Sequence, residues 1–600
     1  ALTQYQHYPD GAVSRIVYPN TLSVRRDYNS RGQLSATGSS DSNNNWLLTF
    51  ATYHYRQDGK LDYQDYANGV HTGFAYDARG VLSQETVSHG GQIYSQRTLY
   101  RDDRDRITAF QKSSNPAANP MENGRGDRFR YDEEGQLLEA WYNAADPVNS
   151  GTGNTRYDGF NYEALGNRHG MNYVQTHGWQ EFSRKDNGLN QYRMWSPFSV
   201  TNYDDDIGGS WGTPGHANGV LMQDGNITAG YNALNQPVLA TSNTLNPNWI
   251  FFGYDPLGRC VKRWVAPPPS DGSLVPPADS NPATYFYYEG WNLIQEGTSY
   301  ANASRNYIHG ARVDEIVKQI TPSNWWERYF QYDARGHCTL QTDAYGNINE
   351  QYEYDAFGQP YFYDGSGTNI GYSPFGNRFL FTGREYLSEL KLYDYRNRLY
   401  QPELGRFMQP DPKEFGAGDY NLYRYCHNDP VNKTDPFGDD WLEFNGSTVT
   451  WYPGDLGDRR NPLFTVGGTS GKVGYQDSSS TNVVGKGPVP EGDYSINTAL
   501  DPARTAEIIP QGEAHEGEYY SANGIQQTTG EDWGTERARL EKAPDNPTDR
   551  DNFYLHNSDK GQTSGCIEAP DKQLWDQLHK FHDDGKKRLP VRVEYEKPKK

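Results

Sequence analysis

One short motif recurs along most of the chain: an aromatic-rich strand, then Tyr-Asp-x-x-Gly, then a second strand. Clear copies start at Tyr76-Asp77 with Gly80, Tyr131-Asp132 with Gly135, Tyr254-Asp255 with Gly258, Tyr332-Asp333 with Gly336 and Tyr354-Asp355 with Gly358. Altered copies stand at Tyr28-Asn29 with Gly32, Tyr55-Arg56 with Gly59, Tyr162-Glu163 with Gly166 and Tyr231-Asn232. Where copies are clear, the period is about 20–30 residues, as in repeat architectures. Tyr packs its ring on a sheet and keeps its hydroxyl wet or bonded. Asp accepts backbone N–H groups as the turn begins. Gly supplies the positive φ that closes the hairpin. One hairpin buries too little apolar surface alone, so neighbours must stack. The Tyr and Asp of the motif are read as structural and carry no chemistry.

Composition agrees. Aromatics reach 14%, with 47 Tyr against 23 Phe and 14 Trp, which excludes a disordered chain. The 62 Gly and 35 Pro suit short strands joined by turns rather than a helical bundle. A length of 600 residues calls for several domains or a repeat array. The net charge of -21 speaks against nucleic acid as the main partner, since phosphate binding asks for a basic face. No run of eighteen apolar residues occurs, so no helical membrane span is expected. The chain opens at Ala1 without a charged-then-apolar leader, which reads as a fragment or processed form lacking an upstream region. Cys260, Cys338, Cys426 and Cys566 lie far apart without a CxxC pair, so neither a disulfide framework nor a zinc site is expected. No metal or other cofactor is expected.

The repeats resemble the YD or Rhs repeat family, and the resemblance covers residues 1–376. It implies a mainly β fold in which hairpins wind into a hollow β-shell. Pro-rich interruptions at 266–270 and 115–120 read as surface loops. Residues 377–438 are denser. They hold Phe381-Thr382-Gly383-Arg384-Glu385, Tyr393-Asp394-Tyr395-Arg396, Gly405-Arg406-Phe407, Gln409-Pro410-Asp411-Pro412, Asn428-Asp429-Pro430 and Asp435-Pro436-Phe437-Gly438. This stretch resembles the Rhs repeat-associated core, which plugs the shell. In many members it also cuts its own chain just after the second Asp-Pro-x-Gly.

Such a cut needs two close carboxylates sharing a proton, one activating water and one protonating the leaving amide. The resemblance carries these roles onto Asp411 and Asp435, with Arg406 as a charge partner. The cut is expected near Gly438 and Asp439. Asp-Pro pairs also simply start turns. Two departures stand out: the first motif reads Asp411-Pro412-Lys413-Glu414-Phe415 where the family usually has a glycine and then leucine, and after the second motif Asp439-Asp440 stand where it usually has leucine.

After Gly438 the motif stops. Residues 439–600 hold 28 acidic and 19 basic residues, a difference of -9. Strand-like segments open this domain at 441–444 and 447–451, and an amphipathic helix is expected near 570–582. Phe553-Tyr554-Leu555 reads as a strand presenting His556, and Ser564-Gly565-Cys566 as a turn that brings a thiol close to it. A thiol becomes a good nucleophile when a base takes its proton. Gly565 lets the backbone turn sharply, and N–H groups around Gly565 and Cys566 could hold an oxyanion. Alone, a cysteine is also a common small buried side chain.

Phe-Tyr-Leu-His, a ten-residue gap and Thr-Ser-Gly-Cys-Ile resemble L,D-transpeptidase-like (YkuD-type) domains. Gly-Pro-Val-Pro-Glu-Gly-Asp-Tyr at 487–494 resembles the type VI secretion effector branch of that family. The resemblance covers about residues 440–597. It implies Cys566 as nucleophile, His556 as general base and acid, Ser564 and Gly565 shaping the oxyanion pocket, and Arg550 contacting substrate carboxylate. Many relatives carry Arg where Glu568 stands here. His515, His579 and His582 match no motif.

The two halves resemble an Rhs polymorphic toxin. That implies a secreted effector whose shell (1–376), plug and possible autoprotease (377–438) carry an enzyme (439–600) acting on peptidoglycan stem peptides in the target periplasm. A cognate immunity protein and type VI secretion components are the implied partners. Hydrolysis, D-amino-acid exchange and cross-linking share one thioester and stay open. So does a YD-repeat surface or adhesion protein with a wall-binding end domain. A cysteine peptidase on protein substrates is disfavoured, because papain-like and NlpC-type enzymes place Cys before His.

Overall fold

The computed structural model describes residues 3–8, 12–115, 119, 123–173, 178–184, 190–195, 199–200, 202–203, 220–224, 226–242, 246–267, 283–312, 314–411, 421–434, 441–445, 447–452, 464–467, 469–470, 489, 492–497, 519–520, 525–527, 536–542, 553–556, 566–569, 574, 578 and 588–593. The chain divides into two compact units, residues 1–410 with 423–434, and residues 411–422 with 435–600.

In the first unit, the described strands from Gln4–His7 to Ser199–Val200 form a 17-stranded antiparallel meander. Each pairs with its neighbour in sequence, as Val70–Tyr76 does with Leu82–His89. A second meander of 14 strands runs from Asn202–Tyr203 to Pro360–Asp364. The alternation of Val13–Val17, half-buried and buried by turns, is that of a strand with one packed face. Ile316–Thr321 is buried at five successive positions, the mark of a strand covered on both faces.

The motif acts at two points of the hairpins that carry it. Asp77 Oδ1 accepts the backbone N–H groups of Arg79 and Val81 at 2.9 and 2.8 Å, and Gly80 closes the turn at φ +78°. Asp255, Asp333 and Asp355 repeat this pattern, and Asn29 and Asn232 substitute with their amide oxygens. The tyrosine reaches backwards. Tyr76 donates to the carbonyl of Leu61 at 2.7 Å, Tyr55 to Leu34, Tyr162 to Leu137, and Tyr254 to Pro237. Each acceptor opens the strand immediately before the tyrosine's own, so these hydroxyls tie one hairpin to the previous one. Four further turns have the same build: Asp364 also follows a Tyr, Tyr363, whereas Asp41, Asp102 and Asp343 lack it. At two of them Asn44 and Asp105 take the positive φ in place of glycine.

The two meanders share cores. Ile16, Val24 and Phe50 pack with Ile294, Ile308 and Ile320, and Ala51, Tyr53 and Val87 with Val317, Tyr329 and Leu340. Ion pairs cross the same seam: Arg26 forks onto Glu289 at 2.6 and 2.7 Å, and Lys112 meets Glu353 at 2.7 Å. The bidentate Arg26–Glu289 pair fixes orientation as well as adding energy.

The segment from 377 onward adds a four-stranded sheet, Glu385–Leu387, Leu392–Asp394, Leu399–Gln401 and Arg406–Phe407. Its Tyr393, Tyr395, Tyr400, Phe407 and Tyr425 form one aromatic cluster with Phe330 and Tyr352 of the second meander. The Tyr400 and Tyr425 rings lie 4.5 Å apart. Tyr393 and Tyr400 donate to the carbonyls of Gly358 and Phe357, which belong to the last motif turn. Buried Asp314 receives both Arg384 and Arg396, at 3.1 and 2.6 Å.

The second unit holds one sheet of 11 described strands. Its central path runs 464–467, 448–452, 441–444, 588–593, 492–497, 536–542, 553–556, 567–568 and 469–470. Two pairings are parallel, 441–444 with 588–593 and 553–556 with 567–568. Phe444, Val489, Ile496, Leu540, Leu555, Ile567, Leu589 and Val591 form its core with Leu574 and Leu578. These two leucines are helical, and their spacing of four places them on one face over the sheet. The remainder of the helix expected at 570–582 lies outside the described residues, as do residues 116–118, 120 and 268–270 of the expected loops.

Candidate functional site

The strand Phe553–His556 owes its place to alternation. Leu555 faces the core of the second unit, 1% exposed, and its partner Ile567 is equally buried. One residue on, the row of paired positions changes character. Gln526 pairs with Arg537, Arg537 with His556, His556 with Glu568, and Glu568 with Thr469. The adjacent row is Ile525, Ala538, Leu555, Ile567 and Ser470. Neighbouring rows of a sheet belong to opposite faces. A five-strand polar row therefore backs onto a mostly apolar one.

Cys566 immediately precedes the strand Ile567–Glu568 and is 5% exposed. It shares the parity of Glu568, the partner of His556. Glu568 is 2% exposed and Ala569 fully buried. On the far side, Ser470 Oγ accepts the N–H of Val489 at 2.9 Å. The strand Gly492–Asn497 pairs with both 536–542 and 588–593. Ser564, Gly565 and Arg550 lie outside the described residues.

The four cysteines form no disulfide. Burial pushes the Cys260 thiol up to about 12, and the Cys338 thiol is raised by the same cause, so both are poor nucleophiles. No cluster of three or more metal-ligating side chains occurs among the described residues.

Asp411 is buried, and its N–H donates to the carbonyl of Leu422 at 2.8 Å. Arg406 is also buried. Its Nη2 donates to the carbonyl of Asn190 at 2.7 Å, and the guanidinium lies over the rings of Tyr192 and Tyr423 at 4.2 and 4.7 Å. Asp435, Gly438 and Asp439 lie outside the described residues. Sequence reasoning singled out Cys566 and His556 and marked Glu568 only as standing where many relatives carry Arg; it passed over Arg537. Strand register brings Arg537, His556 and Glu568 to one row.

No family model matches the chain. The tRNA nuclease WapA of Bacillus subtilis is 23% identical over 298 residues, 49% of this chain and 11% of that protein. Double-stranded DNA deaminase toxin A of Burkholderia cenocepacia is 23% identical over 384 residues, 58% of this chain and 24% of that protein. The chain thus spans a small part of the curated relatives it matches. A crystal structure of TcdB2-TccC3-Cdc42 superimposes with a TM-score of 0.55 at 16% identity, covering 73% of this chain and 21% of that one. At that identity the likeness speaks for the fold alone. Taken with the ladder of Tyr-Asp hairpins, it makes this chain a mainly β protein of the YD/Rhs-repeat fold.

Proposed function

We propose that the chain is part of an Rhs-type toxin whose residues 439–600 form a cysteine enzyme of the L,D-transpeptidase type. The observation that carries this reading is the parallel pairing of the strand ending at His556 with the strand that Cys566 opens. In that arrangement a His and a Cys side chain can meet on one face. The Cys566 thiolate attacks the stem-peptide carbonyl carbon, and the developing oxyanion is held by backbone N–H groups at Gly565 and Cys566. The C–N bond breaks, His556 gives its proton to the departing amine, and a thioester remains. Water or an acceptor amine then takes the acyl group, with His556 removing the attacker's proton. Ser564 shapes the pocket, and Arg550 meets the substrate carboxylate. No cofactor takes part in this scheme.

In the same reading, residues 1–376 enclose or carry the enzyme. Residues 377–438 close the shell, and Asp411 with Asp435 cuts near Gly438 and Asp439, aided by Arg406. Type VI secretion components deliver the effector, it acts in the target periplasm, and an immunity protein guards the producer.

The test is mass analysis of sacculi incubated with the full chain and with Cys566→Ala. New or lost stem-peptide species with the parent chain alone support the proposal. An unchanged muropeptide profile from folded parent chain overturns it. A second reading, a toxin acting on nucleic acid, is favoured by the tRNA nuclease and DNA deaminase activities of the two relatives. Degradation of tRNA or deamination of duplex DNA by the same preparation would select it.

A further inference from the structure

In the first unit an amine and two carboxyls meet where little water reaches. Lys112 lies on the strand Ile107–Ser113, Asp127 on the neighbouring strand Asn123–Tyr131, and Glu353 on Ile348–Tyr354 of the second meander. Phe110, two residues before Lys112 and on the same face, pairs directly with Asp127. Lys112 and Asp127 are 6% and 5% exposed. Lys112 Nζ donates to Glu353 Oε1 at 2.7 Å and lies 3.8 Å from Asp127 Oδ2. The three side chains line one cavity with Phe110 and Phe129.

The second oxygen of Asp127 is held by a bulge. A register shift between Gly126 and Arg128 sets two residues, Tyr142 and Asn143, against Asp127. Asn143 takes φ +50° there, and its backbone N–H donates to Asp127 Oδ1 at 2.8 Å. Bulges re-aim groups in this way, and a non-glycine residue held at positive φ is a place to look for function. The register partner of Lys112 on its other strand is Arg97, a second cation that disfavours the ammonium. Burial would raise the Glu353 carboxyl, but the Lys112 charge holds it below the ordinary range, so it stands ionised beside the Lys112 nitrogen.

We propose that Lys112 and Asp127 condense to an intramolecular isopeptide bond, with Glu353 carrying the proton. Glu353 takes one proton from the Lys112 ammonium. The freed amine attacks Cγ of Asp127, and the Asn143 N–H holds Oδ1 as the tetrahedral centre forms. The Cγ–Oδ2 bond then breaks. The departing oxygen leaves as water, with one proton from the nitrogen and the one that Glu353 carried. An ammonium and a carboxylate become one amide and one water, and Glu353 ends as it began. The cavity of about 20 Å³ has room for that water. The driving force is the loss of two desolvated charges, whose attraction repays little of the cost of burying them. The bond ties together the strands on either side of the Pro-rich interruption at 115–120.

The experiment is mass spectrometry of the denatured, reduced full chain after incubation at neutral pH, with a peptide map. If the chain cuts itself, the mass is read on the fragment that holds Lys112. The parent should be lighter than its sequence by one water, and the map should contain a branched peptide joining Lys112 to Asp127. Lys112→Arg and Asp127→Ala should show the full mass of their sequences. Glu353→Gln keeps the side-chain shape, and with the parent's melting transition it should show full mass as well. A branched peptide in that variant removes Glu353 from the reaction. The parent's own mass decides the bond even where a variant fails to fold. A parent of full mass, or a missing water that maps elsewhere, such as to an Asp-Gly succinimide, overturns the proposal and leaves a plain ion pair.

Discussion

The hydroxyl of Tyr76 donates to the carbonyl of Leu61 at 2.7 Å, fifteen residues upstream. Hairpins that bury little alone are thereby stapled in sequence, each tyrosine holding the strand before its own. Burial raises the pKa of these phenols, Tyr76 to about 12, so they remain neutral donors throughout the physiological range. Tyr76→Phe should keep the ring packing and lose the staple, at a cost of about 1 kcal/mol in a denaturant titration.

Glycine substitutions should separate backbone strain from packing. Gly32 and Gly358 both close motif turns at positive φ, +75° and +96°. A Cβ on Gly32 meets nothing within 4 Å, whereas on Gly358 it would lie 2.6 Å from Cδ1 of Phe381. Gly32→Ala should cost about 1 kcal/mol, the left-handed penalty alone. Gly358→Ala should cost about 3 kcal/mol, because the aromatic cluster must also shift. Urea midpoints of the two variants would make the comparison.

Asp158 should impose a pH dependence on stability. Burial pushes its carboxyl up to about 7, with Asp355 adding to the rise and Arg156 opposing it. Its folded value lies above its unfolded one. The stability it permits is therefore complete below about pH 4 and is lost as pH rises toward 7 and beyond. Asp158→Asn removes this loss. Relative to the parent, the variant should gain melting temperature steadily between pH 5 and pH 8. A constant difference across that window would show that Asp158 does not titrate there.

Asp314 bridges two buried guanidiniums, those of Arg384 and Arg396. Asp314→Ala leaves two cations without their shared carboxylate. A loss of about 3–5 kcal/mol is expected, as for other broken buried pairs. Thermal unfolding with Arg384→Met added should recover part of it, since one of the two unpaired charges is then gone.

Self-cleavage is checked on a denaturing gel. The parent chain should give two fragments that part near Gly438 and Asp439, and Asp411→Asn a single full-length band. Two bands from Asp411→Asn would remove Asp411 from the reaction.

The amino-acid sequence by itself determined the hairpin repeat. A tyrosine, a turn-capping carboxylate and a positive-φ glycine act within a few residues of one another, and local chemistry of that kind is legible without coordinates. It also singled out Cys566 and His556, whose neighbours in sequence form a motif. It did not reveal the turns at Asp41 and Asp102, where Asn44 and Asp105 take the place of glycine. Nor did it show where the tyrosine hydroxyls go, since their acceptors belong to another hairpin. The row Arg537, His556, Glu568 and Thr469 was likewise decided by tertiary structure, because register joins residues 12 to 99 positions apart in sequence. A one-residue slip of any of those strands would trade the polar row for the apolar one. Burial of Leu555 and Ile567 in the core of the second unit is what forbids that slip.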